Sequence, residues 1–421
     1  MNVMGDMEMF KPEILSPAGN IERLKYAYAY GADAVYIGGR DFSLRAKASN
    51  FSLEGIEEAV RYGHAIGKKL YVTLNIFGRN SDFAQLKQYI ASLSKIGVDA
   101  VIVADPGILS TVKTVAPELQ IHISTQANVT NTAAADFWFD QGASRVVLAR
   151  ELPAAQIREI SQNSKIETEA FIHGAMCMAY SGRCFMSKFM ADRDGNRGDC
   201  AHSCRWKYYL VEEQRPGEYH ELDEDDRGTY IFNSKDLMLI NHIPELMSCG
   251  LKSLKIEGRM KSTHYVAAIT KIYRQAIDRY FEDPENYKLD SEWLEEADKV
   301  SHRDYSTGFF LGEKGEEIIR YSRYEKGYDF VGVVEGYDDE NGLVEVEVRN
   351  RLRLTDDVEI LSPSGCVKGY KIPAMIRLSG GGAYGEQLEA AHAGFKIGIP
   401  SEKPWPAFSI MRRPVDKVAI D

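Results

Sequence analysis

Cysteine is scarce in this chain: six occur in 421 residues, and four of them, Cys177, Cys184, Cys200 and Cys204, fall within one stretch of 28. That distribution excludes a disulfide framework, which places cysteines in pairs along a small secreted chain. No unbroken apolar run approaches the ~18 residues of a membrane span. The opening MNVMGDMEMFKPEIL carries acids where a secretion signal needs a basic start and an apolar stretch. Both features point to a cytoplasmic protein with no membrane partner, and in that compartment clustered thiols serve metals or redox chemistry. Basic charge is also in deficit, with 51 Lys and Arg against 62 Asp and Glu and a formal charge of −11, so the surface as a whole lacks a nucleic-acid footprint. His-Glu-x-x-His is absent among the nine histidines, as are Gly-x-Ser-x-Gly and an early Gly-x-Gly-x-x-Gly. These gaps weigh against a zinc protease, a serine hydrolase with a nucleophile elbow and a dinucleotide enzyme.

What the chain does have is rhythm. Short apolar, β-branched runs recur at 13–17, 34–38, 70–76, 100–105, 121–125, 145–150, 169–173 and 253–258, and segments of helical spacing such as FAQLKQYIASLSKIG separate the first seven. Eight such units predict an α/β fold, a TIM-type (β/α)8 barrel, regular or distorted, with an open doubly wound sheet as the alternative. The predicted division is a barrel over 1–264 with a cysteine-rich insertion at 174–250 after strand seven, a helical segment at 265–327 packing on the barrel, and a small C-terminal antiparallel β-barrel domain at 328–412. The last is read from the alternation in FVGVVEGYDDENGLVEVEVRNRLRL. In a barrel of this type the active site is built just past the C-terminal ends of the strands. Those positions are polar here, including Asn75, Ser124, Gln126, Arg150, His173, Glu257 and Arg259, although some, such as Asn20, suit a helix cap instead.

The cysteine spacing is C-x6-C-x15-C-x3-C. The first gap is too wide for a zinc knuckle. Four thiolates at irregular intervals suit an iron–sulfur cluster better, with zinc or redox thiols as the other readings. The same segment is locally basic, with six Lys and Arg against three aspartates from Arg183 to Lys207. Together with Phe185, Phe189, Trp206 and Tyr208 it offers the mixture of charge and aromatic faces that a single-stranded RNA loop requires. Packing in a core is the plainer use of those aromatics. Arg349, Arg351 and Arg353 in the β domain make a second candidate RNA contact.

The run Glu169-x-Phe171-x-x-Gly174-Ala175-Met176-Cys177-x4-Gly182-x-Cys184-x-Met186-Ser187 resembles the signature of the U32 peptidase family, the collagenase-like proteins. PEILSPAGN, GADAVYIGG, FSLRAKASNFS, NSKDL and SLKIEGRMKS resemble that family too, so the likeness covers nearly the whole chain. The better understood members resemble oxygen-independent hydroxylation factors with a 4Fe-4S cluster, acting on tRNA wobble uridine, on ribosomal RNA cytidine or in ubiquinone synthesis. Length and the β domain are most similar to the tRNA branch. The resemblance therefore implies prephenate-dependent formation of 5-hydroxyuridine, with the tRNA anticodon loop and prephenate as partners and an electron donor or partner protein besides. It implies Cys177, Cys184, Cys200 and Cys204 as cluster ligands. Where some relatives place a ligand cysteine after Lys-Asp-Leu this chain has Met238, which leaves Cys204 as the fourth and Cys249 in reserve.

Within that reading His173, Asn233, Asp236 and Glu257 are the expected catalytic groups. Arg45, Arg150, Lys255, Arg259 and Lys261 are the expected clamps for an anionic co-substrate, by charge-assisted hydrogen bonds. A U32-type peptidase, hydroxylation of another substrate such as ribosomal RNA cytidine, and a non-catalytic scaffold braced by metal are the competing expectations.

Overall fold

The computed structural model describes residues 10–43, 50–176, 186–193, 195, 200–201, 203, 224–225, 228–229, 235–312, 327–379 and 383–415. Seven strands alternate with six helices before the chain reaches the cysteine segment. They are β1 (Glu13–Pro17), α1 (Ile21–Ala29), β2 (Ala34–Gly38), α2 (Leu53–Ala65), β3 (Lys69–Leu74), α3 (Phe83–Ile96), β4 (Ala100–Val103), α4 (Pro106–Val115), β5 (Gln120–Ile123), α5 (Thr132–Asp140), β6 (Arg145–Val147), α6 (Ala154–Asn163) and β7 (Glu167–Ala175). A short helix α7 (Met186–Ala191) and a two-strand ribbon, β8 (Glu224–Asp225) with β9 (Gly228–Thr229), lie in the insertion. After it come β10 (Asp236–Met238), α8 (Ile243–Ser248), β11 (Ser253–Ile256), α9 (Thr263–Glu282), α10 (Ser291–Asp298) and β12 (Tyr305–Ser306).

Strands β1 to β7 pair in parallel and in order, and β11 closes the circle by pairing in parallel with both β7 and β1. The fold is thus the closed eight-stranded barrel expected from the rhythm, with a bulge between Lys255 and Ile256 where β11 meets β7. Burial explains why the strands were so regular in sequence: AVYIG and AVIV are buried at every position, as parallel strands covered by helices must be. Asn20, Asp105 and Ser262 cap α1, α4 and α9 through their side chains, so each is at least a structural residue.

Strand β7 has nine residues where its barrel neighbours have three to six. It pairs with β6 and, as far as His173, with β11, while His173, Gly174 and Ala175 pair antiparallel with β10. Strand β12 then adds to β10 in parallel. A three-strand ladder therefore stands on the rim of the barrel mouth.

Between Tyr328 and Pro414 the chain forms an antiparallel domain with its own core, centred on Val331, Val344, Val346, Ile360, Ile397 and Met411. Its eight-stranded ladder ends on Gly365–Lys371 at one edge and Ala383–Gln387 at the other. Among the described residues no pairing joins those edges, so the ladder is an open sheet where alternation suggested a barrel. The domain is locked against α1, α9 and α10. Arg412, fully buried, binds Glu296 and Glu359 with His264 beside it at 3.0 Å, and Lys299 reaches Glu359 at 2.9 Å. The Tyr30 hydroxyl sits 2.9 Å from the carbonyls of both Leu361 and Phe408.

Candidate active site at the barrel mouth

The loops after β2, β3, β5, β6, β7 and β11 bring two sets of polar groups to the mouth. Hydrogen-bond donors dominate the first. Arg259, three residues past β11 and 4% exposed, donates through Nη1 to Ser43 Oγ at 2.8 Å and to Thr73 Oγ1 at 3.0 Å. Gly38 makes the room, since a Cβ there would lie 2.1 Å from Nη1. Asn75 donates to Gln126 Oε1 at 2.7 Å, which orients the buried amide and leaves Gln126 Nε2 with no partner. Arg150 stacks on the Phe171 ring with its guanidinium carbon 4.0 Å from the centroid, donates to the Ala175 carbonyl at 2.8 Å and lies 3.7 Å from Glu257 Oε2.

Acceptors dominate the second set, on the ladder of β7, β10 and β12. His173, buried at the top of β7, is ringed by Tyr265, Tyr273 and Tyr305 at centroid distances of 5.9, 5.7 and 5.3 Å. Burial above all, with Lys261 and His302 adding to it, pushes its pKa down to about 3, so the imidazole is neutral at physiological pH. Asp236, also buried, accepts the Arg303 N–H at 3.4 Å and lies 3.9 Å from Lys261 Nζ. Lys261 in turn donates to the Ser301 carbonyl at 2.8 Å and faces the Tyr265 ring. Gly174 has φ +105°, and a Cβ there would come 2.5 Å from the Glu257 carbonyl, so only glycine lets β7 pass this close to the loop after β11.

His173, Asp236, Glu257, Arg150, Lys261 and Arg259 therefore all converge on the mouth. Lys255 does not. It points into the barrel, where Nζ donates to Glu169 Oε1 at 3.0 Å, and Arg145 joins Glu169 and Glu13 in the same network and reaches the exposed Glu167. Burial raises the Glu169 carboxyl, but Lys255 and Arg145 overcome this and hold it below the usual carboxylate range. Lys255 is thereby committed to a structural ion pair and is withdrawn as a co-substrate clamp. Arg349 is likewise engaged, with Glu22 at 2.7 Å and Glu347 at 3.0 Å, which ties the β domain to α1 and removes it as a free RNA contact. Arg45, Asn233, Cys177, Cys184 and Cys204 lie outside the described residues.

Cys200 is exposed, on a loop drawn back to α7: Ser187 Oγ accepts the Ala201 N–H at 2.8 Å and donates to the Arg193 carbonyl at 2.8 Å. Cys249 is buried, with its thiol 3.2 Å from the Glu245 carbonyl, and burial pushes it up to about 11, the state of a packed thiol rather than a ligand. Sequence reasoning passed over Ser43, Thr73, Tyr265, His302 and Tyr305. The last two stack at 4.2 Å, and a signal existed in the polar, aromatic run HRDY that breaks the helical pattern at 302–305.

Comparison with known families assigns residues 19–320 to the model described as peptidase family U32 and residues 326–412 to that of the peptidase family U32 C-terminal domain. The chain belongs to the U32 family. Relatives include tRNA hydroxylation protein P1 of Bacillus subtilis, 47% identical over 355 residues that cover 84% of each chain. The tRNA hydroxylation protein P of Escherichia coli is 39% identical over 406 residues, 85% of this chain and 87% of that one. A 23S rRNA 5-hydroxycytidine synthase of Escherichia coli is 37% identical over 316 residues, 72% of this chain and 46% of its own length. The U32 signature takes on physical meaning in this fold. Glu169 is its buried anchor inside the barrel, Gly174 its close approach to the β11 loop, and Ser187 the residue that folds the cysteine segment back on itself.

Proposed function

We infer that this U32 protein is an RNA-modifying enzyme that hydroxylates tRNA. The observation that carries the reading is end-to-end similarity to proteins named for tRNA hydroxylation, at 47% and 39% identity over most of both chains. The finer reading is prephenate-dependent, oxygen-independent conversion of wobble uridine to 5-hydroxyuridine in the cytoplasm. No helix among the described residues is long and apolar enough to cross a membrane.

A 4Fe-4S cluster held by Cys177, Cys184, Cys200 and Cys204 belongs to the same proposal. One contact supports the fit. The Ser187–Ala201 hydrogen bond at 2.8 Å holds the residue three positions after Cys184 in sequence against the residue that follows Cys200. Cys177 leaves two residues beyond Ala175, whose carbonyl Arg150 grips at the mouth. Such a cluster would supply redox or Lewis-acid character. The chain's own side chains do the rest. Arg259, Arg150 and Lys261 provide cationic donors for the carboxylates of a small co-substrate. His173 enters the reaction neutral, able to accept a proton. The basic cysteine segment offers the anticodon loop a charged and aromatic surface.

Mass spectrometry of total tRNA nucleosides from a deletion strain tests this directly, with strains carrying Cys177→Ala or Cys184→Ala alongside. The expected result is loss of 5-hydroxyuridine derivatives in all three, and loss of iron from the purified variants. Intact tRNA modification in the deletion strain would overturn the reading, and intact modification in both cysteine variants would overturn the cluster.

A further inference from the structure

Two buried acceptors at the mouth have no donor among the described residues. The Tyr273 hydroxyl donates to the Ile172 carbonyl at 2.8 Å and receives the Leu239 N–H at 3.0 Å. A phenol has one proton, so at the 3.4 Å contact between Tyr273 and His173 Nδ1 the imidazole must be the donor. The histidine proton is thereby fixed on Nδ1, and Nε2 is a bare lone pair. The two other phenols around the ring are committed as well, Tyr265 to the Glu257 carbonyl at 2.9 Å and Tyr305 to the Ala297 carbonyl at 3.0 Å. His173 Nε2 is left without a partner.

Asp236 presents the same situation. Its Oδ2 takes the Arg303 N–H, and its Oδ1 has no partner although the residue is 1% exposed. Strand register puts the two orphans together. Asp236 pairs with Ala175, two residues beyond His173 on β7, and with Tyr305 on β12, so His173 and Asp236 share one face of the rim ladder with Tyr305 beside them. An unsatisfied buried acceptor costs about 1–3 kcal/mol. Two on one face call for a ligand that donates two protons from one small atom. An ammonium group would do so, but Lys261 already stands 3.9 Å from Asp236. Water is the neutral two-proton donor.

We propose that His173 Nε2 and Asp236 Oδ1 form a water-positioning subsite, walled by Tyr305 and Tyr265, which takes both protons of one water molecule and turns its lone pairs toward the open mouth. The proposal rests on the mouth being the reaction site. Its Nδ1–H tautomer and its two acceptors are set by the surrounding carbonyls rather than by pH. Tyr305 and His302 act as positioning residues that close the far side.

Asp236→Asn is the informative variant, because its amide oxygen still accepts the Arg303 N–H while its nitrogen replaces an acceptor with a donor. The expected result is a fall in kcat of about 100-fold, the scale of one positioned proton acceptor, with KM for tRNA and for prephenate unchanged and the melting temperature retained. A rise in KM for prephenate at near-normal kcat would assign the subsite to the co-substrate and overturn the water. A crystal structure of the whole protein supplies an arm independent of the tRNA reading. It should show an ordered oxygen within about 3.2 Å of both Nε2 and Oδ1, retained after a prephenate soak. A site without that oxygen, or one in which prephenate displaces it, overturns the proposal even if tRNA hydroxylation is confirmed.

Discussion

The barrel interior and the barrel mouth are made from the same strands, and both bury polar side chains, yet they satisfy them differently. Inside, the described ionised groups have their counter-charges: Arg145 binds Glu13 and Glu169 and reaches out to the exposed Glu167, and Lys255 completes Glu169. Among the described residues, neutral His122 keeps an Nδ1 without a partner there. At the mouth, Gln126 Nε2, Arg150 Nε, His173 Nε2 and Asp236 Oδ1 are all buried without partners. Charges that are fully paired inside a fold serve its architecture, and removing one partner strands the others. Groups left unpaired where a site forms are paired by what binds there. Residue type alone does not separate scaffold from site: Lys255 pairs with Glu169 inside the barrel, and Lys261, six positions on, stands beside Asp236 at the mouth.

The largest expected effect comes from breaking the interior. Glu169→Ala leaves Lys255 and Arg145 buried with their shared carboxylate gone, and chemical denaturation should record a loss of about 3–5 kcal/mol. A loss below about 1 kcal/mol would dissolve the distinction between the two regions. Arg259→Lys works the other side of the comparison. It keeps the charge but gives up the guanidinium fork that meets Ser43 and Thr73. Turnover of tRNA should fall about 30-fold in kcat/KM, a loss of about 2 kcal/mol of transition-state stabilisation, while unfolding free energy moves by less than about 1 kcal/mol.

Acid titration gives the smallest and sharpest contrast. Burial holds His173 down at about 3 and His122 well below the ordinary imidazole range. The folded chain thus refuses protons that the unfolded chain accepts below pH 6.5, so stability is complete above that pH and falls as pH drops toward the folded values. Each histidine contributes a slope of about 1.4 kcal/mol per pH unit in that window. His173→Phe should flatten the slope between pH 6 and 5 by that amount and abolish tRNA turnover. An unchanged slope would mean that the imidazole is charged in the fold.

The strands were legible in sequence because parallel strands buried on both faces must be apolar throughout, and AVYIG or AVIV admit no other reading. Arg259, Glu257 and His173 were legible because a polar residue directly after such a run sits at the mouth. Lys255 was misread although the information was present. Within SLKI, Ser253 and Lys255 share one face by alternation, and that face looks into the barrel, toward Glu13 and Glu169. Tyr265 was not legible, and Tyr305 offered only the polar, aromatic run at 302–305. One lies on the core-facing side of α9, where an aromatic is ordinary, and the other on a two-residue strand with no periodicity to read. The ladder that unites them with His173 exists only through β7 pairing with β10, a contact across more than 60 positions of chain.

The buried arginine that locks the β domain in place bears on how the molecule is made. Helices α9 and α10 emerge from the ribosome more than a hundred residues ahead of the strand Ile410–Pro414 that carries Arg412. Until that strand arrives, Glu296 faces Lys299 without its main counter-charge, and Tyr30 on α1 lacks the carbonyls it bridges. The flank of the barrel formed by α1, α9 and α10 is thus synthesised early and sealed last. A nascent chain stalled short of Arg412 carries a charged, unsealed flank on α1, α9 and α10, a surface that chaperones and proteases are equipped to notice.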